Sequence, residues 1–231
     1  MEDALARLRG GLIVAVQADE RSVLNAPAVV RQLARCAEQN GAAGVRVHGI
    51  DCIIATRAAV TIPIIGLVKQ AHEGFEPSMT STVGELLAVV KAGADVVAFD
   101  ATDRPRFGGA TVVDLIAAAH DAGVSVQADC SSSTDARAAA AARADILATT
   151  LAGYTPQTAG VALPALDLVR ELAAIHPFVI AEGSILTTEH ASQAFLAGAS
   201  AICVGSAITD IDQFVRQFVQ VSDAATRGAV S

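Results

Sequence analysis

Lys69 and Glu182 are the two residues of this chain best placed to do chemistry. Each closes a short apolar run: Lys69 ends PIIGLVK (63–69) and Glu182 ends FVIAE (178–182). An ionisable group at the edge of a segment built to avoid water needs solvent, a partner or a function. An amine and a carboxyl that approach a ligand from opposite sides can invert a carbon, one removing its proton from one face and the other returning a proton to the opposite face. A carbonyl must stand next to that carbon, and the surroundings must bring the two proton affinities toward neutral pH. The competing reading is a salt bridge between the two side chains across the mouth of the fold.

Other apolar runs also end in polar residues. GLIVAVQ (11–17) closes with Gln17, AGVRV (43–47) carries Arg46, DVVAFD (95–100) closes with Asp100 and VSVQAD (124–129) with Asp129. DILATT (145–150) ends in Thr149 and Thr150, and AICVGS (201–206) in Gly205 and Ser206. None of the runs ends in His, which argues against metal-assisted epimerases that use paired histidines at strand ends. The turns AEGSI and VGSAIT place Gly183 with Ser184 and Gly205 with Ser206 where backbone N–H groups can point at an anion, suggesting a phosphate site.

What positions these residues is a repeating unit. Eight apolar runs alternate with helix-forming stretches such as TVGELLAVVKAG and TVVDLIAAAHDAG. Gly41-Ala42, Gly93-Ala94 and Gly198-Ala199 stand where a helix turns into the next strand, with Arg143-Ala144 as an imperfect fourth copy. Eight β/α units in 231 residues without a break in composition predict a single domain over 1–231, a (β/α)8 TIM barrel of eight parallel strands ringed by helices. Residues 1–9 form an N-terminal segment, and about 222–231 have the composition of a fraying tail. An open doubly wound sheet is the alternative, but QADERSV lacks the glycine-rich turn such a fold places after its first strand. In a closed barrel the active site lies at the C-terminal strand ends, where the polar residues collect, and strands three and seven are diametrically opposed.

Composition limits the partners. A net charge of −8 with no basic block, and 3% aromatic residues, exclude a phosphate-backbone reader of nucleic acid and favour a small ligand. The N-terminal stretch mixes charges with apolar residues, unlike a signal peptide, and no run is long enough for a membrane span, so a cytoplasmic protein is expected. Cys36, Cys52, Cys130 and Cys203 lie far apart with no metal-ligand spacing and read as reduced, packed thiols.

GGLIVAVQA, IPIIGLVK, DATDRPR, ADCSS, TTLAGYT, VIAEGSI and AICVGSAIT, in this order and spacing over about residues 10–220, resemble the N-acetylmannosamine-6-phosphate 2-epimerases of bacterial sialic-acid catabolism. DATDRPR together with TTLAGYT is the specific part. The resemblance implies interconversion of N-acetylmannosamine 6-phosphate and N-acetylglucosamine 6-phosphate with no metal and no organic cofactor, in a homodimer. Lys69 and Glu182 match the family's catalytic pair, and Gln17, Arg46 and Asp129 its sugar-binding positions, with Arg46 also suited to stabilising charge on the carbonyl oxygen. Asp100 either holds a sugar hydroxyl or orients a neighbour. This chain departs from the family pattern at Gln70, Ser184 and Asp210, where arginines are common. Phosphate is then held mainly by backbone amides, or the substrate is a related sugar or sugar phosphate; a non-catalytic sugar-phosphate-binding barrel is the remaining alternative. The loop 70–82 is long enough to be a lid, and His72 within it reads as a solvated loop residue.

Overall fold

The computed structural model describes residues 2–17, 22–76 and 78–228. Met1, at the start of the N-terminal segment, part of the QADERSV turn, Pro77 in the 70–82 loop and the last three residues of the expected tail lie outside them. The chain runs α1 (Glu2–Leu8), β1 (Leu12–Val16), α2 (Pro27–Gln39), β2 (Gly44–His48), α3 (Ile50–Arg57), β3 (Ile64–Leu67) and a hairpin of β4 (Lys69–Gln70) and β5 (Ser78–Met79). It continues with α4 (Val83–Lys91), β6 (Val96–Asp100), α5 (Val112–Asp121), β7 (Ser125–Asp129), α6 (Ser133–Ala141) and β8 (Ile146–Ala148). Last come α7 (Leu166–Ile175), β9 (Val179–Glu182), α8 (Thr188–Leu196), β10 (Ala201–Val204), α9 (Ser206–Thr209) and α10 (Ile211–Gly228).

Eight strands close into a parallel barrel in the order β1-β10-β9-β8-β7-β6-β3-β2. All eight expected runs form its staves. Alternation along each strand builds two cores. Val14, Val97, Leu147 and Val179 face out to the helices, while Ile13, Ile65, Ala98 and Ile180 fill the interior. β7 differs from the other staves: its inward residues Ser125, Gln127 and Asp129 are all polar and all fully buried. At the N-terminal end α1 caps the barrel, burying Leu8 in the interior core, where a Cβ on Gly44 would collide with it. Arg9 lies over the Phe178 ring, 4.6 Å from its centroid, and bonds to the Pro177 carbonyl.

Local chemistry starts and stops the helices where the beat requires. Thr82 with Glu85, Thr111 with Asp114 and Ser132 with Asp135 form reciprocal capping boxes at the N-termini of α4, α5 and α6. After α2, α4 and α8 the chain turns through Gly41, Gly93 and Gly198 at positive φ. Arg143 does the same after α6 at φ +71°, so the imperfect fourth copy adopts the glycine conformation without a glycine.

Three boundaries differ from the sequence reading. The third stave stops at Leu67, because Val68 and Thr80 exchange hydrogen bonds that turn the chain into the β4–β5 hairpin, and Lys69 stands on that hairpin. β2 runs on to His48, so a strand does end in His; its Nδ1 accepts from the Lys69 backbone N–H at 3.1 Å. The stretch read as a tail from about 222 is helical through Gly228, as the continuation of α10. Among the described residues no helix is long and apolar enough to cross a membrane.

A left-handed non-glycine residue costs about 1–2 kcal/mol, partly offset by the extra freedom glycine has when unfolded. Arg143 is exposed, so Arg143→Gly is expected to stabilise the fold by roughly 0.5–1 kcal/mol, read as a higher urea midpoint at unchanged m-value.

Candidate active site

Glu182 is inward-facing at the end of β9, and its backbone is clamped from the neighbouring strand. The Thr149 hydroxyl accepts from the Glu182 N–H at 3.0 Å and donates to its carbonyl at 2.9 Å. Its side chain is 12% exposed and meets Arg46, which is 1% exposed. Arg46 Nη1 lies 2.5 Å from Glu182 Oε2, while Nη2 and Nη1 reach Asp129 Oδ2 and Oδ1 at 2.8 and 3.2 Å. Gln127 Nε2 and Thr150 Oγ1 complete the cluster by donating to Asp129 Oδ1 at 2.8 and 2.7 Å. One guanidinium from β2 therefore ties together carboxylates from β7 and β9.

Burial is the largest influence on Glu182 and raises its proton affinity above the ordinary carboxylate value; the Arg46 charge opposes this, Asp129 reinforces it, and Thr150 and Lys69 oppose it. For Arg46, burial disfavours the charge, but Asp129 and Glu182 outweigh it and hold the guanidinium firmly ionised. Cys203, the β10 residue in register with Glu182, keeps its thiol proton tightly, chiefly through burial and then through the Glu182 charge.

Above this cluster opens a cavity of about 730 Å³. Lys69 and Glu182 both line it, Glu182 from the end of β9 and Lys69 from the hairpin that follows β3, the stave opposite β9 in the ring. Gln17 and Asp100 line it too, as do Gly183, Ser184, Gly205 and Ser206. Gly183 at φ +106° and Ser184 at φ +57° make the sharp turn that brings this segment to the cavity.

Arg46 and Asp129, expected to touch the sugar, form a buried ion pair that meets Glu182 at the cavity's edge. In the strand register Asp129 stands level with Asp100 and Arg46 with Ala15, two residues that line the cavity. Asp100 holds the Thr102 hydroxyl at 2.6 Å and Arg104 Nη2 at 2.5 Å, and Arg104 reaches on to Glu76 in the hairpin at 3.0 Å. Gln70 and Ser184 line the cavity, whereas Asp210 turns away and caps α10, accepting from Gln213 N–H at 2.9 Å. His72 is not solvated: it stacks on Phe107 at 3.9 Å and its Nε2 lies 3.2 Å from Glu85 Oε1.

Gln127, His48 and Arg104 are not among the strand-end residues that the sequence offers for the site. For Gln127 a signal existed: SVQAD carries polar residues at every second position of an otherwise apolar stave, the period of an inward face.

The chain matches the NanE family model, described as "Putative N-acetylmannosamine-6-phosphate epimerase", over residues 30–224. A relative in Caldanaerobacter subterraneus subsp. tengcongensis, "Putative N-acetylmannosamine-6-phosphate 2-epimerase", is 37% identical over 220 residues, 94% of this chain and 93% of that one. One in Escherichia coli O157:H7 with the same description is 40% identical over 210 residues, 90% of each chain. The solved structure of the N-acetylmannosamine-6-phosphate 2-epimerase from Clostridium perfringens superposes with a TM-score of 0.89 at 32% identity, covering 94% of this chain and 95% of that one.

A carboxyl that binds its proton more tightly folded than unfolded makes the folded state less favourable as pH rises through the window above its ordinary value, 4.5. Glu182→Gln removes that burden and leaves Arg46 paired with Asp129. The variant is expected to melt at the same temperature as the parent near about pH 4 and a few degrees above it at neutral pH, followed by calorimetry across the pH range.

Proposed function

The chain belongs to the N-acetylmannosamine-6-phosphate epimerase family, an isomerase of carbohydrate phosphates, and we propose that Lys69 and Glu182 carry out its inversion at C2. The observation that carries this assignment is that the ammonium, on the hairpin after β3, and the carboxyl, at the end of the opposed β9, border one cavity, with the carboxyl's proton affinity raised by burial. In the open-chain aldehyde form of N-acetylmannosamine 6-phosphate, C2 lies next to the carbonyl. One of the pair takes the C2 proton, the C–H electrons move into the C1–C2 bond, and the carbonyl π electrons move onto O1. Collapse of that enolate draws a proton onto the other face of C2 from the second group, giving N-acetylglucosamine 6-phosphate.

The other residues take supporting roles. Arg46 and Asp129 hold Glu182, and Gln17 supplies an amide to the sugar. Asp100 orients Arg104 between the cavity wall and the hairpin. The backbone amides of Gly183, Ser184, Gly205 and Ser206, with the two serine hydroxyls, receive the 6-phosphate. With Gln70 and Ser184 lining the cavity where the family resemblance leads one to expect arginines, the unphosphorylated sugar is the specific competing substrate. On this reading the reaction needs no cofactor and belongs to cytoplasmic sialic-acid catabolism, which the family resemblance supports.

The functional unit is a homodimer, and α10 is the element that supports this. Ile211, Phe214, Val215, Phe218 and Val219 recur at helical spacing on it and are exposed, Phe218 to 73%. An apolar stripe of this kind on a charged chain is best covered by the same stripe of a second copy.

Proton NMR in D₂O with N-acetylmannosamine 6-phosphate should show deuterium entering C2 as N-acetylglucosamine 6-phosphate appears. Lys69→Ala and Glu182→Gln should each slow turnover by at least about 10²–10⁴-fold. Exchange with free N-acetylmannosamine but not with its phosphate would overturn the phosphate assignment, and undiminished turnover in either variant would remove that residue from the pair. Phe218→Asp should shift the protein from dimer to monomer in sedimentation equilibrium.

A further inference from the structure

Gln127 lies on the inward face of β7, fully buried, two residues before Asp129. Its Nε2 is 2.8 Å from Asp129 Oδ1 and 3.4 Å from Glu182 Oε2. Chemistry fixes which end of the amide points this way, since the reverse orientation would set its oxygen against two carboxylates. At the other end Oε1 is buried with no protein partner among the described residues. A methionine would fill nearly the same volume without an unsatisfied acceptor. Packing alone therefore does not account for a glutamine here; the donors do.

We propose that Gln127 is a positioning residue for the C2 inversion, its amide fixing the rotation of the Glu182 carboxylate and holding it apart from Asp129 by donating to both. The proposal rests on reading Glu182 as one of the two acid/base groups. Arg46 bonds to the same oxygen, Oε2, so two donors from different strands converge on one edge of the carboxylate. The charged and titratable groups facing Glu182 are Arg46 from β2, Asp129 from β7, Cys203 from β10 and Lys69 from β4, with the Thr150 hydroxyl beside them. The Thr150 hydroxyl, with its one hydrogen, serves Asp129 at 2.7 Å and also lies against Glu182. The Gln127 amide has two hydrogens and can donate to both carboxylates at once. Loss of Gln127 removes a hydrogen bond from the ionised form of Glu182 and leaves the Asp129 charge less compensated; both effects favour the protonated form.

The test compares Gln127→Met and Gln127→Glu with the parent and with Glu182→Gln, using N-acetylmannosamine 6-phosphate turnover across pH after circular dichroism has established folding. Gln127→Met should lower kcat on the order of ten- to a hundredfold, with KM changed less than about threefold, and the acid limb of kcat/KM should move to higher pH. Gln127→Glu, similar in length but without the donors, should move that limb further. In the unaltered protein the Gln127 side-chain amide NMR signals should shift with the midpoint of the same limb, a readout that depends on no variant folding. A folded variant with the parent's kcat and an unmoved acid limb, or amide signals indifferent to that ionisation, overturns the proposal. Turnover retained in Glu182→Gln would instead overturn the acid/base assignment; an inactive Glu182→Gln beside an unaltered Gln127→Met refutes the role of Gln127 alone.

Discussion

The site depends on one guanidinium. Arg46 lies in the barrel interior between Asp129 and Glu182, and without it two carboxylates would face each other away from water. Such a pair is costly to ionise, and removing one member of a buried charge cluster typically costs about 3–5 kcal/mol. The planar fork matters as much as the charge. It grips Asp129 with two nitrogens and still presents one of them to Glu182, a geometry a lysine cannot reproduce. The cluster carries one positive and two negative formal charges, and the polar hydrogens of Thr150 and Gln127 compensate part of that excess.

The two proposed acid/base groups are held in different ways. Glu182 sits on a stave, its peptide clamped by Thr149 and its carboxylate by Arg46. Lys69 stands on a two-residue hairpin arm whose backbone is braced by His48. That hairpin is joined to the β6–α5 connection by Glu76 on Arg104 and by His72 and Phe75 against Phe107. Arg104 also holds Asp100 in the cavity wall, so cover and wall share one cation.

The architecture was legible because it repeats. Eight apolar runs, capping residues and glycine turns agree with one another, and even the irregular copy at Arg143 adopted the expected conformation. Lys69, Glu182, Gln17 and Asp100 were legible as cavity residues because strand ends converge in a barrel. Pairing was not legible. That Arg46 and Asp129, on separate strands, meet each other and converge on Glu182 depends on side-chain reach across the barrel interior, which strand spacing alone does not give. His48 was missed because β2 runs beyond its apolar stretch, and the end of β3 because Thr80, twelve residues on, diverts the chain. Asp210 reads as a lost arginine in sequence and as a helix cap in three dimensions.

The plug at the foot of the barrel closes the cavity from the N-terminal side. Leu8 and Phe178 pack the N-terminal end, so sugar, product and exchanging water reach the cavity from the side of the strand C-termini, where the hairpin stands. Commitment to product and leakage of the intermediate's proton to solvent are then not independent properties. A sequence change that loosens the hairpin to hasten release also admits water during the reaction. Isotope retention and throughput are thereby opposed by architecture, and the hairpin is where natural variants would have to strike the compromise.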